Sequence, residues 1–330
     1  MDIRQQITDE IIAAIEKGTP PWRKGWTSGE LAFNASSGQA YKAINQVILG
    51  MQATSDPRWM TYKQAESMGV QVRKGEHGVR VVKMIEMERS QADRESRAAD
   101  GGGEVLAVEG RKALVMKAYT VFNANQIEGM APLRKRETSI EPAEVVEAVV
   151  WGLQDTGLKL NFGGNQPAYF PRTDEIRIPV ATDFHSLEDF HATLLHESAH
   201  ASGHPKRLAR LHLDARFGSP EYAREELRAE LASAMMSGLV GLPPGPSMIE
   251  SHAAYLANWL TVVRSDKGEI FKAAADAQKI CDYLSERALQ VSLTQQANER
   301  RKDSIEPLFH PASDSKTLPA ASDGPRSPRV

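Results

Sequence analysis

His196-Glu197-Ser198-Ala199-His200 constrains the fold more tightly than any other stretch of the chain. On a helix, residues i and i+4 share a face, so both imidazoles can point at one metal ion. Glu197 projects beside them, where a carboxylate can take a proton from an attacking water. Phe184 to Ala201 holds neither proline nor glycine, and Phe190, Leu194 and Leu195 supply apolar packing. The stretch therefore predicts an amphipathic helix, stopped by Gly203 and Pro205. Zinc held this way needs a third protein ligand and keeps a fourth position open.

That third ligand is expected on the next helical stretch, Ser219 to Leu239. Ser219 and Pro220 make an N-cap and N1 pair, and Leu227, Leu231 and Met235 form an apolar stripe. Ala229, Ala232 and Ala234 let a neighbouring helix come close. Glu226 and Glu230 share a face, an arrangement similar to that of gluzincin-type proteases. The likeness implies Glu226 as ligand and Glu230 as the acid that supports a histidine from behind. Glu225 is expected to face elsewhere, Glu230 is the alternative ligand, and a solvated helix face is the plain alternative for either acid. His204, in the turn after the motif, reads as a cap or supporting group, while His185 and His191 read as surface histidines. Tyr222 and His204 are candidate oxyanion donors by position.

Upstream, Tyr169 to Pro179 reads as a hairpin, with Ile176 and Ile178 alternating with charged residues and Pro179 at a strand end. Such a strand can serve as an edge beside the metal helix, to which an extended peptide adds. A turn is expected at Asn161–Asn165, and helices at Glu141–Gly157, Ile249–Val263 and Ile270–Leu293.

The first part of the chain has a different character. The net charge of −3 hides a basic N-terminal module and an acidic remainder, and much of the module's acid lies in Glu86–Gly110. The polar, glycine-terminated run Ser90–Gly103 reads as part of a mobile insert at about 88–108. After a helix at Ile3–Lys17, aromatic rings alternate with cations in Trp22, Arg23, Lys24, Trp26, Tyr41, Lys42, Arg58, Trp59, Tyr62 and Lys63. Asn34, Asn45, Gln64, Arg73 and Lys74 add polar and basic groups. A groove that stacks bases and tracks phosphates of single-stranded DNA without reading sequence needs these residue types. The plain alternative is that the tryptophans are core.

At 330 residues with 41% apolar side chains, two domains and some unstructured chain are expected. The single cysteine, Cys281, excludes an intrachain disulfide and suits a reducing cytoplasm. No basic leader precedes an apolar run, and no stretch reaches the ~20 apolar residues of a membrane span, so a cytoplasmic protein with no membrane partner is expected.

The series Glu16-Lys17-Gly18, Pro21-Trp22-Arg23-Lys24, Asn34, Gly38, Tyr41 and Ile44-Asn45 resembles the single-stranded-DNA-binding domain of ArdC-type antirestriction proteins. Arg58 to Ala65, Val72 to Glu76 and Val121-Phe122-Asn123 continue the likeness, which extends to TraC-type plasmid primases. His196-Glu197-x-x-His200, Arg207-Leu208 and Tyr222 to Glu230 resemble the zincin-like metallopeptidase domain that follows it, a likeness that Tyr255, Trp259 and Lys272–Ala277 extend. The resemblance covers about residues 1–290. It implies an α+β fold: a small α/β DNA-binding module at 1–131, a linker at 132–142, and a mainly helical zincin with a short sheet at 143–293. A disordered tail is expected at 294–330. It further implies a mobile-element protein that protects incoming DNA from host restriction during conjugation. Its partners would be single-stranded DNA and a host restriction-system protein, and its cofactor zinc, with manganese or cobalt as alternatives. Two other readings stay open. One is a DNA-binding shield with an inactive, structural zinc site; the other is a metallopeptidase regulator whose basic domain docks a protein.

Overall fold

The structure is a computed structural model that describes residues 2–17, 30–96, 104–134, 141–211, 218–242 and 253–309. It is a mixed α+β architecture in which Met1–Val291 form one compact unit. The chain opens with helix α1 (Ile3–Ile15), capped by Asp2, whose side chain accepts from the Gln5 amide. Ile3, Ile7, Ile11 and Ile15 recur at i+4 and are all buried, which makes one continuous apolar face.

That face does not close on the N-terminal half alone. It enters one hydrophobic cluster with Trp259, Val263, Ile270 and Ala274 of the C-terminal half. The Thr8 hydroxyl donates to the Lys267 carbonyl at 2.9 Å, and Gln278 Oε1 accepts from the Ala43 amide at 3.0 Å. Each fully buried isoleucine contributes roughly 1.5–3 kcal/mol, so α1 alone ties the halves with several such terms.

The N-terminal sheet has the order β1 (Phe33–Asn34), β2 (Arg58–Met60), β6 (Lys112–Asn123), β4 (Val79–Glu88), with β5 (Glu104–Glu109) also paired to β6. Strands β4 and β6 run antiparallel over ten pairs, from Val79↔Val121 to Glu88↔Lys112. Helices α2 (Ile44–Gly50) and α3 (Tyr62–Ser67) complete this half, together with a two-stranded ribbon of β3 (Gln71–Val72) and β7 (Ile127–Glu128). The insert expected to be mobile is partly regular: α4 (Arg89–Ser96) leads to β5, and residues 97–103 lie outside the described residues. Ala92 on α4 is fully buried against Ala113 and Val115. A single small anchor in a polar run carries too little hydrophobicity to be read as packing.

In the C-terminal half, α5 (Pro142–Gln154) precedes a three-stranded sheet of order β8 (Lys159–Phe162), β10 (Glu175–Ile178), β9 (Ala168–Phe170). The expected hairpin is β9–β10. Two details differ: part of the expected Asn161–Asn165 turn is strand β8, and β10 is the central strand rather than the edge. The edge beside the metal helix is β9.

Helix α6 (Leu187–Ala201) carries the histidine motif, with Ser186 accepting from the Asp189 amide at 3.1 Å. Helix α7 (Pro220–Val240) starts on the Ser219 cap and ends at Gly241, whose φ of 78° is left-handed, where glycine carries no Cβ penalty. Helices α8 (Ala253–Ser265) and α9 (Glu269–Phe309) follow. Residues Ser292–Val330 form a second unit. Their backbone is helical to Phe309, where an unstructured tail was expected from Thr294. Residues 310–330 lie outside the described residues. No described helix is long and apolar enough to cross a membrane.

Candidate metal centre and nucleic-acid surface

Helices α6 and α7 bring His196, His200 and Glu226 to one point. Nε2 of His196 and Nε2 of His200 are 3.2 Å apart. Glu226 places Oε2 at 3.6 Å from the first and Oε1 at 3.5 Å from the second. Zinc bonds of ~2.0–2.1 Å in tetrahedral geometry put ligand atoms roughly 3.3–3.4 Å apart, so the three groups fit one divalent ion. Among the described residues no other set of histidine, cysteine or acidic groups converges in this way.

Electrostatics points in the same direction. Burial alone would lower the His200 pKa, but the carboxylates of Glu226, Glu225 and Glu197 outweigh it and raise it to about 9. Burial would likewise raise Glu226, yet His200, His196 and the Tyr222 hydroxyl bring it down to about 2. The Glu226 carboxylate is thus held in its charged form beside the two imidazoles.

Glu197 is 6% exposed and lines the same cleft, a cavity of about 290 Å³ bordered by Ala168 and Tyr169 of β9 and by Tyr222 and Arg210. Its carboxylate stands beside the three ligand groups.

Two different acids stand behind the histidines, and one of them is within hydrogen-bond distance. Glu230, fully buried, lies 3.9 Å from Nδ1 of His196. Glu225 does not face elsewhere: its Oε1 is 3.3 Å from Nδ1 of His200. Adjacent positions on α7 bracket the His200 ring, Glu226 meeting Nε2 and Glu225 meeting Nδ1. Arg210 grips Glu225 through Nε at 3.1 Å and Nη2 at 2.8 Å, and also donates to the Ser202 hydroxyl and the Ala199 carbonyl. The signal for Glu225 was the Glu225-Glu226 doublet; Arg210, on an irregular turn, had none.

The Tyr222 hydroxyl bonds Glu226 and so stands behind that carboxylate as well as on the cleft wall. His204 is turned away from the centre: its Nδ1 lies 3.8 Å from Asp174 and accepts from the Lys206 amide. His185 is exposed, but His191 is 8% exposed, packed on Phe190 rather than at the surface.

Arg207 ties this region together. Its side chain, fully buried, donates to the Ala201 carbonyl at the end of α6, to Thr156, to Tyr169 on β9 and to Asp174 in the β9–β10 turn. The cleft's strand wall is thereby fixed to the metal helix.

In the N-terminal half, Trp22, Arg23, Lys24 and Trp26 lie outside the described residues. Trp59 is 2% exposed and packs with Ala32, Leu49 and Val121, so its ring is not available for stacking. Asn45 clamps β4, donating to the Val82 carbonyl and accepting from its amide, both at 2.8 Å. Asn34 and Gln64 bond each other, and Gln64 completes the Thr61 capping box. Arg58 is occupied by Asp56 at 2.8 Å, and Tyr41 is half-buried with its hydroxyl on Asn34. Lys42, Tyr62, Lys63, Arg73 and Lys74 remain exposed.

A model of the N-terminal domain of anti-restriction factor ArdC matches residues 1–122, and a zincin-like metallopeptidase model matches residues 146–276. The crystal structure of the antirestriction ArdC protein from the R388 plasmid, metal-free, superposes with a TM-score of 0.69 at 37% identity, over 88% of this chain and 99% of that one. The chain belongs to the ArdC antirestriction family.

A Mn(II)-bound form of the R388 ArdC protein is as similar, with a TM-score of 0.68, and agrees with a site for a divalent ion here. The y4eC protein of Sinorhizobium fredii (strain NBRC 101917 / NGR234) is 36% identical over 86% of this chain and 91% of its own length. DNA primase TraC of Escherichia coli is 38% identical over 309 residues, which are 89% of this chain but 28% of the primase. The ArdC-type chain thus spans under a third of that relative.

Proposed function

We propose that the chain is an antirestriction protein that binds single-stranded DNA with its N-terminal half and hydrolyses peptide bonds at the His196–His200–Glu226 centre. In this reading it protects incoming DNA from host restriction during conjugation, and a restriction-system protein of the recipient is the peptide substrate. The observation that carries it is the ligand triad, with atoms 3.2–3.6 Å apart, beside Glu197 in a cleft walled by a strand edge.

A divalent ion in that triad, zinc by preference, would polarise the scissile carbonyl and acidify water. The chain's own groups do the rest. Glu197 accepts the proton of the attacking water and returns it to the leaving amine. Among the described residues β9 pairs only with β10, so its other edge can take an extended peptide as an added strand. Arg207 holds that edge in register with the metal helix. Glu225, locked by Arg210, keeps the His200 ring turned so that Nε2 faces the triad.

The test combines a salt-dependent titration of labelled single-stranded and duplex DNA with a metal assay and a conjugation assay of Glu197→Gln. Preferential single-strand binding with a steep salt slope, one metal per chain lost in His196→Ala, and loss of protection in Glu197→Gln are expected. No single-strand preference would remove the DNA half of the reading. Full protection by Glu197→Gln would move it to a DNA-binding shield with a structural metal.

A further inference from the structure

A second concavity lies in the N-terminal half. It has a volume of about 480 Å³, and its lining includes Tyr62, Gln71, Arg73, Lys74, Glu76 and Glu128. That size falls in the ~300–1,000 Å³ range of small-ligand pockets. Its composition is specific. Tyr62 is 48% exposed yet not loose, because Gln71 Nε2 donates to its hydroxyl at 2.9 Å. An exposed ring pinned by its hydroxyl is a ready stacking platform.

Beside it, Lys74 is exposed and makes no ion pair among the described residues, and Arg73 is half-exposed with Glu76 at 3.1 Å. Lys74 suits a phosphate, whereas Arg73 is already engaged by Glu76 and by the Asn125 carbonyl, to which it donates. Glu128 does not suit one. The β3–β7 pairing sets Glu128 directly across from Gln71, on the same face as the ring's anchor. It is exposed and makes no side-chain hydrogen bond or ion pair among the described residues. A bare carboxylate in a phosphate-binding pocket repels the ligand unless it meets a hydrogen-bond donor. The Watson–Crick edges of splayed bases supply such donors. Guanine presents N1–H and the N2 amino group side by side, which matches the two oxygens of a carboxylate. Thymine flanks its one N–H with two carbonyls.

We propose that this pocket captures one nucleotide of a single strand and favours guanine. The base stacks on Tyr62, its Watson–Crick edge donates to Glu128, and its phosphate meets Lys74. The proposal rests on the reading that this half binds single-stranded DNA, and replaces uniform binding with a base preference at one position.

The test uses the full chain and three labelled strands of equal length. They are all-thymidine, thymidine with isolated deoxyguanosines, and the same strand with deoxyinosine in place of deoxyguanosine. The wild type is expected to bind the guanine strand roughly tenfold tighter than all-thymidine, with inosine, which lacks the N2 amino group, in between. Glu128→Gln should collapse that ratio while affinity for every strand holds or rises, since an anion has been removed from a polyanion site. Tyr62→Ala should weaken all three strands. Equal wild-type affinity for guanine and thymidine strands, or a guanine preference that survives Glu128→Gln, would overturn the pocket while leaving single-strand binding intact. Absence of binding to all three strands would overturn both.

Discussion

Oε1 of Glu225 lies 3.3 Å from Nδ1 of His200, and the same carboxylate is held by Nε and Nη2 of Arg210. The ring that offers Nε2 to the ligand triad is therefore oriented by a group that is itself immobilised. Replacing Glu225 by Gln keeps the shape and removes the charge. Metal affinity should fall about 10–100-fold, read by competition with a calibrated chelator, while His196→Ala should abolish binding. Unchanged affinity in Glu225→Gln would mean that His200 needs no such support.

Asp174 and Arg207 form the other charged unit of this half. Arg207 is fully buried, so Asp174→Asn leaves a cation without its partner and should cost roughly 3–5 kcal/mol. Asp174 has a φ of 51°, a conformation that asparagine also accepts, so the substitution tests charge and not backbone. Chemical denaturation of wild type and variant measures the difference.

The same pair sets an acid limit. Burial raises the Asp174 pKa, but the bonds from Arg207 and Tyr169 and the charge of Arg207 hold it below the ordinary 3.8. A carboxyl with a depressed folded pKa stabilises fully above its unfolded value, and that contribution is lost as pH falls through the folded one. Wild-type stability should therefore drop below about pH 4 by more than that of Asp174→Asn, in a pH series of thermal melts.

Trp59 and Tyr62 separate core from surface in the DNA-binding half. Trp59→Ala should destabilise by about 3–5 kcal/mol through the cavity left among Ala32, Leu49 and Val121. Trp59→Phe, still folded, should bind single-stranded DNA as the wild type does. A binding loss in Trp59→Phe at full stability would place that ring on the DNA after all.

Ile11, 1% exposed, sits in the cluster that also contains Trp259 and Val263. Ile11→Ala should cost roughly 2–5 kcal/mol, and the metal-free protein should melt in one lower transition followed identically by tryptophan fluorescence and circular dichroism. A metallo half that melts unchanged would show that the shared cluster contributes little.

The metal helix and its partner were legible because their signals are local. A four-residue histidine spacing, a serine–proline start and an apolar stripe each name a helix before any tertiary contact is known. The same periodicity put Glu226 and Glu230 on one face, and the likeness to gluzincin-type proteases chose between them. Glu225 did not stand out, because a neighbouring position on a helix turns by 100°, and which side faces α6 depends on how the two helices cross. Arg207 and Arg210 lie in irregular turns, where no period exists to read. In the N-terminal half, alternating rings and cations described both a groove and a packed sheet. Only burial separated Trp59, which is core, from Tyr62, which is not.

The isoleucine face of α1 has a bearing on inheritance. Ile3, Ile7, Ile11 and Ile15 match a surface formed by residues more than two hundred positions downstream. A recombination joint in the 135–140 region would have to carry both complementary faces from one parent, or leave a greasy helix and a greasy groove with no mates. Shuffling one half against a diverged counterpart is thereby penalised at folding, before any selection on DNA protection can act, and the two halves are expected to co-vary as a matched cassette.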